Sequence, residues 1–159
     1  MFSDPLTERL AAFVRGIGID VRAASLSEPT VLPGLNIRDG AVLIDESRLA
    51  YPGDILHEAG HVAVANPAER RQPTLSPSGG DEMTAIAWSF AAARHLRIDL
   101  EILFHPGGYK GASSSLIENF SAGHYLGVPL LHTYGMAVEP RHAAARGVAS
   151  YPHMLRWLR

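Results

Sequence analysis

Apolar residues occur at both helical and strand-like spacings along the chain, and this pattern predicts a mixture of helices and short strands. Residues 6–17 place apolar side chains three and four positions apart, which is typical of an amphipathic helix. The segment 21–26 is short and β-like, and the apolar run 41–44 follows a turn at Asp39-Gly40. We expect this run to be the second strand of a hairpin.

Proline, asparagine and acidic residues mark the ends of the predicted later helices. Pro52 suits the first turn of a helix, and Asn66-Pro67 ends it. The composition of residues 81–96 strongly favours a second helix. Shorter helices are predicted near residues 100–104, at the capping box Ser115-x-x-Glu118, and at Pro129 and Pro140. The pattern therefore predicts an α+β fold with a small sheet and several helices.

The composition limits the class of protein. A chain of 159 residues with 47% apolar residues has enough material for one core, so we expect a single domain over residues 1–159. The absence of cysteine from the sequence excludes a disulfide scaffold, a thiolate-ligated metal site and a cysteine nucleophile. A net charge of −2 gives no electrostatic reason to expect a nucleic-acid partner.

Two segments bear on localisation. Asp4 and Pro5 stand where a secretory signal would have basic residues followed by an apolar run, so we expect a cytoplasmic protein. Residues 119–138 carry no formal charge, but they include His124, His132 and Pro129. We interpret this segment as buried protein, and we expect no membrane partner.

The sequence HEAGH at residues 57–61 is the strongest indication of chemistry in the chain. Residues four positions apart lie on one face of a helix, so His57 and His61 can reach the same metal ion. Glu58 points about 100° away and is free to contact a water at that ion. Gly60 is unfavourable inside a helix, and we expect another backbone to approach closely there.

A zinc ion held by two histidines needs at least a third protein ligand. Glu82 opens the next predicted helix, and this spacing lets a neighbouring helix return its first turn to the metal. The small residues Ala85 and Ser89 continue its face and favour tight packing on Gly60. The alternatives for the third ligand are Asp81, His95, Glu101 and His105.

The order of these elements resembles the zincin metallopeptidases of gluzincin type. A strand, a short loop, the HEAGH helix and a helix opening with Glu82-x-x-Ala85 are most similar to the small ImmA/IrrE-like branch. The resemblance covers residues 35–93. It implies that His57, His61 and Glu82 bind Zn²⁺ and that Glu58 is the general base.

The resemblance further implies a peptidase that hydrolyses a peptide bond through a metal-bound water, with a peptide or protein as substrate. An oxyanion donor is also needed, and Tyr109, beside the glycines of a flexible loop, is our best candidate. The other candidates are His105, His124, Tyr125, His132 and Tyr134. We expect the extended substrate to pair with an edge strand above the motif helix, and we assign that edge to residues 41–44.

The resemblance is interrupted at Ile86. Many gluzincins have a polar residue at this position that supports a ligand histidine. Two other hypotheses therefore stand beside the peptidase: a regulatory or binding protein that keeps a metal-binding zincin scaffold without cleaving, and a structural domain whose motif is accidental.

Overall fold

A three-stranded sheet lies in the N-terminal third of the chain, and helices form most of the remainder. The computed structural model describes residues 1–76 and 78–159. The strands in these residues are Val21–Ala23 (β1), Leu35–Arg38 (β2) and Ala41–Ile44 (β3). The α-helices are Pro5–Gly16 (α1), Asp54–Val64 (α2), Gly79–Leu96 (α3), Leu100–Leu103 (α4), Ser113–Ser121 (α5), Val128–Thr133 (α6) and Pro140–Arg146 (α7). The predicted α+β class is confirmed.

The sheet has the strand order β1-β3-β2. β2 and β3 form the predicted hairpin, and both turn residues, Asp39 and Gly40, have the positive φ angles that a type I′ hairpin turn requires. The prediction that residues 41–44 form an edge strand is wrong, because β3 pairs with β1 on one side and with β2 on the other. β1 and β2 are the edges of the sheet.

Helices α2 and α3 pack together at the centre of the molecule. Nearly all of α2 and the stretch of α3 from Thr84 to Ala93 are buried, which reflects the scarcity of charged residues in both segments. A Cβ placed on Gly60 would lie 2.8 Å from the carbonyl oxygen of Ala85 and 3.3 Å from the Trp88 ring. The predicted close approach of a second backbone at Gly60 is therefore confirmed, and this approach brings the two helices together beside the HEAGH motif.

Replacing Gly60 by alanine is expected to lower the free energy of unfolding. Overpacking costs about 1–3 kcal/mol and exceeds the gain of about 1 kcal/mol in helix propensity. Denaturant unfolding of Gly60→Ala measures the effect. Gly16→Ala is the matched control, because Gly16 is also helical and has no atom within 4 Å of an added Cβ. Equal stability of the two variants would contradict the close packing.

The helix starts agree with the sequence signals in part. α6 and α7 begin around Pro129 and Pro140 as predicted, and α3 begins at a capping box formed by Ser78 and Asp81. The predicted cap at Ser115 is wrong: α5 starts at Ser113, and no side chain caps it. Within the described ranges, every helix is too short or too polar to traverse a bilayer.

Candidate metal centre

Three side chains from α2 and α3 converge at one point. The Nε2 atoms of His57 and His61 lie 3.1 Å apart. Oε1 of Glu82 lies 3.3 Å from Nε2 of His57, and Oε2 lies 3.1 Å from Nε2 of His61. The i, i+4 spacing on α2 sets the first distance, and the crossing of the helices at Gly60 sets the other two.

These distances fit a site for a divalent metal ion, of which zinc is one example. Ligand atoms about 2.0 Å from a tetrahedral zinc ion are separated from one another by about 3.3 Å. The two imidazoles and one carboxylate supply three such atoms. A catalytic zinc site is built from three protein ligands of these types and leaves a fourth position open.

The ligand candidates differ in their exposure and in their electrostatics. Both histidines are buried, whereas the side chain of Glu82 is 45% exposed. Hydrogen bonds from His57 and His61 hold the pKa of Glu82 well below its usual range. Burial by itself would lower the pKa of His57, but the nearby carboxylates, with the bonded Glu82 first among them, together outweigh burial and raise it. The two imidazoles and the Glu82 carboxylate therefore attract one another strongly.

The second ring nitrogen, Nδ1, of each histidine has no hydrogen-bond partner among the described residues. A ligand histidine usually donates its second ring N–H to a nearby acceptor. In the described part of the chain, Nδ1 of His57 and Nδ1 of His61 are both buried without a hydrogen-bond partner. Ile86, at the position where the resemblance is interrupted, is buried and lines the same cleft. Its apolar side chain offers no acceptor to either imidazole.

Glu58 and Tyr109 lie beside the three converging side chains and line the same cleft. Burial raises the pKa of the Glu58 carboxyl. The Tyr109 ring stands edge-on to His57, with 5.5 Å between the ring centroids. Its hydroxyl is buried and has no partner among the described residues. Burial and the neighbouring carboxylates raise the pKa of Tyr109, so this hydroxyl stays protonated and can donate a hydrogen bond.

The cleft that contains these groups has a volume of about 1070 Å³. Its walls come from the loop before β2, from β2 itself and from α3 and α5. Apolar side chains dominate the lining beyond the polar centre: Val31, Leu32, Leu35, Ile37, Leu75, Met83, Ile86, Leu116 and Leu126. The volume suits a stretch of several residues rather than a single small molecule.

Strand β2 presents its unpaired side to this cleft. Next to the two-residue turn, Arg38 and Ala41 form the hydrogen-bonded pair, so the backbone groups of Ile37 and Leu35 point away from β3. The N–H of Ile37 donates to Oδ1 of Asn36 at 2.8 Å. The N–H of Leu35 donates to the carbonyl of Leu32 at 3.1 Å. The two N–H groups on the outer side of the edge strand β2 are thus already hydrogen-bonded within the chain.

The remaining candidates for the third ligand lie outside the converging group: Asp81, His95, Glu101 and His105. The Asp81 carboxylate bonds to Ser78 at the start of α3. Nε2 of His105 lies 2.8 Å from Oδ1 of Asp54, and both side chains are buried. In the sequence, Asp54 is recognisable only as a favourable negative charge in the first turn of a helix, which does not indicate this pair. An acid and a histidine 51 positions apart carry no local signal that they will meet.

No protein-family model, no curated protein and no solved structure matches this chain. The geometry of the site is therefore what supports a function.

Proposed function

We propose that the chain is a zinc-dependent peptidase. The observation that supports the proposal is that the Nε2 atoms of His57 and His61 and the carboxylate oxygens of Glu82 lie within 3.1–3.3 Å of one another and line a large cleft. Two neighbouring residues, Glu58 and Tyr109, line the same cleft and are not among the three candidate metal ligands, so their side chains are free to act on a substrate.

Each side chain has a definite role in this proposal. His57, His61 and Glu82 hold the metal, and a bound zinc ion supplies Lewis acidity and makes water nucleophilic near neutral pH. Glu58 accepts a proton from the attacking water and delivers it to the leaving amine. The Tyr109 hydroxyl donates a hydrogen bond to the oxygen of the scissile carbonyl as negative charge develops on it.

A peptide or protein is the substrate class that the cleft favours. Its wall includes the free edge of β2, and an extended peptide binds such an edge by adding a strand. The carbonyl oxygens of Leu35 and Ile37 point away from β3 and can accept N–H groups from the substrate. The apolar lining around Met83 and Leu116 suits apolar substrate side chains.

A second candidate function is a regulatory or binding protein that holds a metal without cleaving. The observation in its favour is that neither Nδ1 atom of His57 and His61 has an acceptor within the described residues. Loss of such support typically reduces metal affinity or activity about 10–100-fold. Under this alternative the same cleft binds a peptide and releases it intact.

The test uses the full chain, stripped of metal with a chelator and then supplied with zinc. Ligand binding raises stability by about 2.7 kcal/mol at a zinc concentration one hundred times Kd, so thermal unfolding reports binding. Mass spectrometry of a complex peptide mixture then reports cleavage. We expect zinc to raise the melting temperature and to produce new peptide ends that the chelator abolishes.

The outcomes separate the hypotheses. Zinc binding without new peptide ends would favour the non-cleaving protein. Absence of any stabilisation by zinc would overturn both metal-based functions and leave a structural domain with an accidental motif.

A further inference from the structure

The loop that carries Tyr109 has an unfavourable backbone. Tyr109 and Lys110 both have positive φ angles, 55° and 53°, a region that non-glycine residues rarely adopt. Two such residues in succession persist only when surrounding contacts hold them in place. The structure must therefore contain an anchor for this loop.

That anchor is the buried pair of His105 and Asp54. Nε2 of His105 lies 2.8 Å from Oδ1 of Asp54, and the His105 ring stacks on Tyr51 with 3.7 Å between centroids. Ser113 donates a hydrogen bond to the His105 carbonyl at 2.6 Å. A Cβ on Gly108 would lie 2.9 Å from the His105 ring, so the loop backbone folds directly onto the imidazole.

The pair connects this loop to the helix that bears the motif. Asp54 lies in the first turn of α2, one helical turn before His57. The contact between His105 and Asp54 thus ties the loop of Tyr109 to the same rigid helix that carries His57. A buried ionisable pair contributes little net stability compared with an apolar pair of similar size, so stability alone is a poor reason for its presence.

We infer that Asp54 and His105 are positioning residues that hold Tyr109 beside His57 in the cleft of the candidate metal centre. For its catalytic consequence this inference rests on the proposed peptidase function. The anchoring itself is independent of that function and is measured separately.

Lys110 makes the anchoring measurable because it is the only lysine in the sequence. A lysine-specific endoprotease therefore cuts the chain at one bond, Lys110–Gly111, and under native conditions its rate reports opening of this loop. We expect His105→Ala and Asp54→Ala each to raise that rate at least tenfold. The double variant should show no further increase. Asp54→Asn keeps an acceptor for His105, and its rate should stay within about threefold of the wild type.

The matched control is Tyr151→Phe. Tyr151 is buried and donates a hydrogen bond to the Ala87 carbonyl at 2.8 Å, so its loss weakens the core away from the loop. We expect this control to change the cutting rate less than twofold. If His105→Ala does not fold, His105→Phe replaces it, because the phenyl ring keeps the stack on Tyr51 while removing the bond to Asp54. Unchanged cutting at Lys110, or an equal increase in the control, would overturn the inference.

Turnover and zinc binding supply the second readout. In an active enzyme, His105→Ala should lower kcat to the level of Tyr109→Phe and leave the zinc Kd within threefold of the wild type. Adding His105→Ala to Tyr109→Phe should lower kcat no further. Additive losses would overturn the positioning role while leaving the peptidase proposal intact. Conversely, faster cutting at Lys110 in a chain that cleaves no peptide would support the anchor and reject the peptidase.

Discussion

Under the proposed function, Glu58→Gln is expected to lower kcat for peptide cleavage by about 10²–10⁴-fold without weakening zinc binding. Glutamine has nearly the same shape as glutamate but cannot accept a proton from water at neutral pH. Glu58 follows a ligand candidate on α2, lines the cleft and is not one of the three converging side chains. General acid–base catalysis contributes about 10²–10⁴-fold to a rate, so kcat should fall by that factor. Steady-state turnover and zinc titration of the same preparation measure both effects.

The control for this variant is Glu101→Gln. Glu101 is exposed on α4, so its replacement controls for the loss of one negative charge. Because Glu101 was also a candidate for the third ligand, the same variant tests that alternative. Turnover and zinc content should match the wild type. Retained cleavage in Glu58→Gln would reject Glu58 as the proton acceptor, and loss of zinc in that variant would instead identify Glu58 as a ligand.

Glu82→Ala is expected to weaken zinc binding at least about a hundredfold, beyond the 10–100-fold typical of losing an outer-shell partner. The substitution removes the one carboxylate among the three donors and leaves His57 and His61 in place. Two imidazoles alone cannot complete a zinc site. Competition with a chromophoric chelator gives the Kd directly, and the zinc-dependent rise in melting temperature should shrink in parallel.

Asp81→Asn is the matched control for Glu82→Ala. Asp81 is the neighbouring acid in the first turn of α3, and its carboxylate bonds to Ser78 rather than facing the histidines. The control should lower stability slightly through the weakened cap and leave zinc affinity unchanged. Similar zinc losses in both variants would indicate a general effect at the helix start. Unchanged affinity in Glu82→Ala would place the third ligand elsewhere.

Local signals in the sequence predict the motif helix and its partner well. The HEAGH spacing places two imidazoles on one face whatever the tertiary structure, and Gly60 indicates that another backbone lies against that face. The small residues that follow Glu82 favour close packing, so the next helix can bring its first turn to the same point.

Features that depend on contacts between distant segments are harder to predict from the sequence. The run 41–44 is wholly apolar, which also fits a strand covered on both sides, and the number of its neighbouring strands decides whether it is central or an edge. At the start of α5, three successive serines offer equivalent caps, and the helix begins at the first of them without using any side chain. The Asp54–His105 pair joins distant segments, and no periodicity encodes it.

The bonding of the outward N–H groups on β2 also bears on how molecules of this protein meet one another. Asn36 and Leu32 already accept those donors, so the strand offers only carbonyl oxygens along its outer side. Two copies approaching edge to edge would oppose acceptor to acceptor, which discourages self-association through this strand. A guest chain must supply every amide hydrogen itself, and a proline facing Leu35 or Ile37 would forfeit one of these bonds.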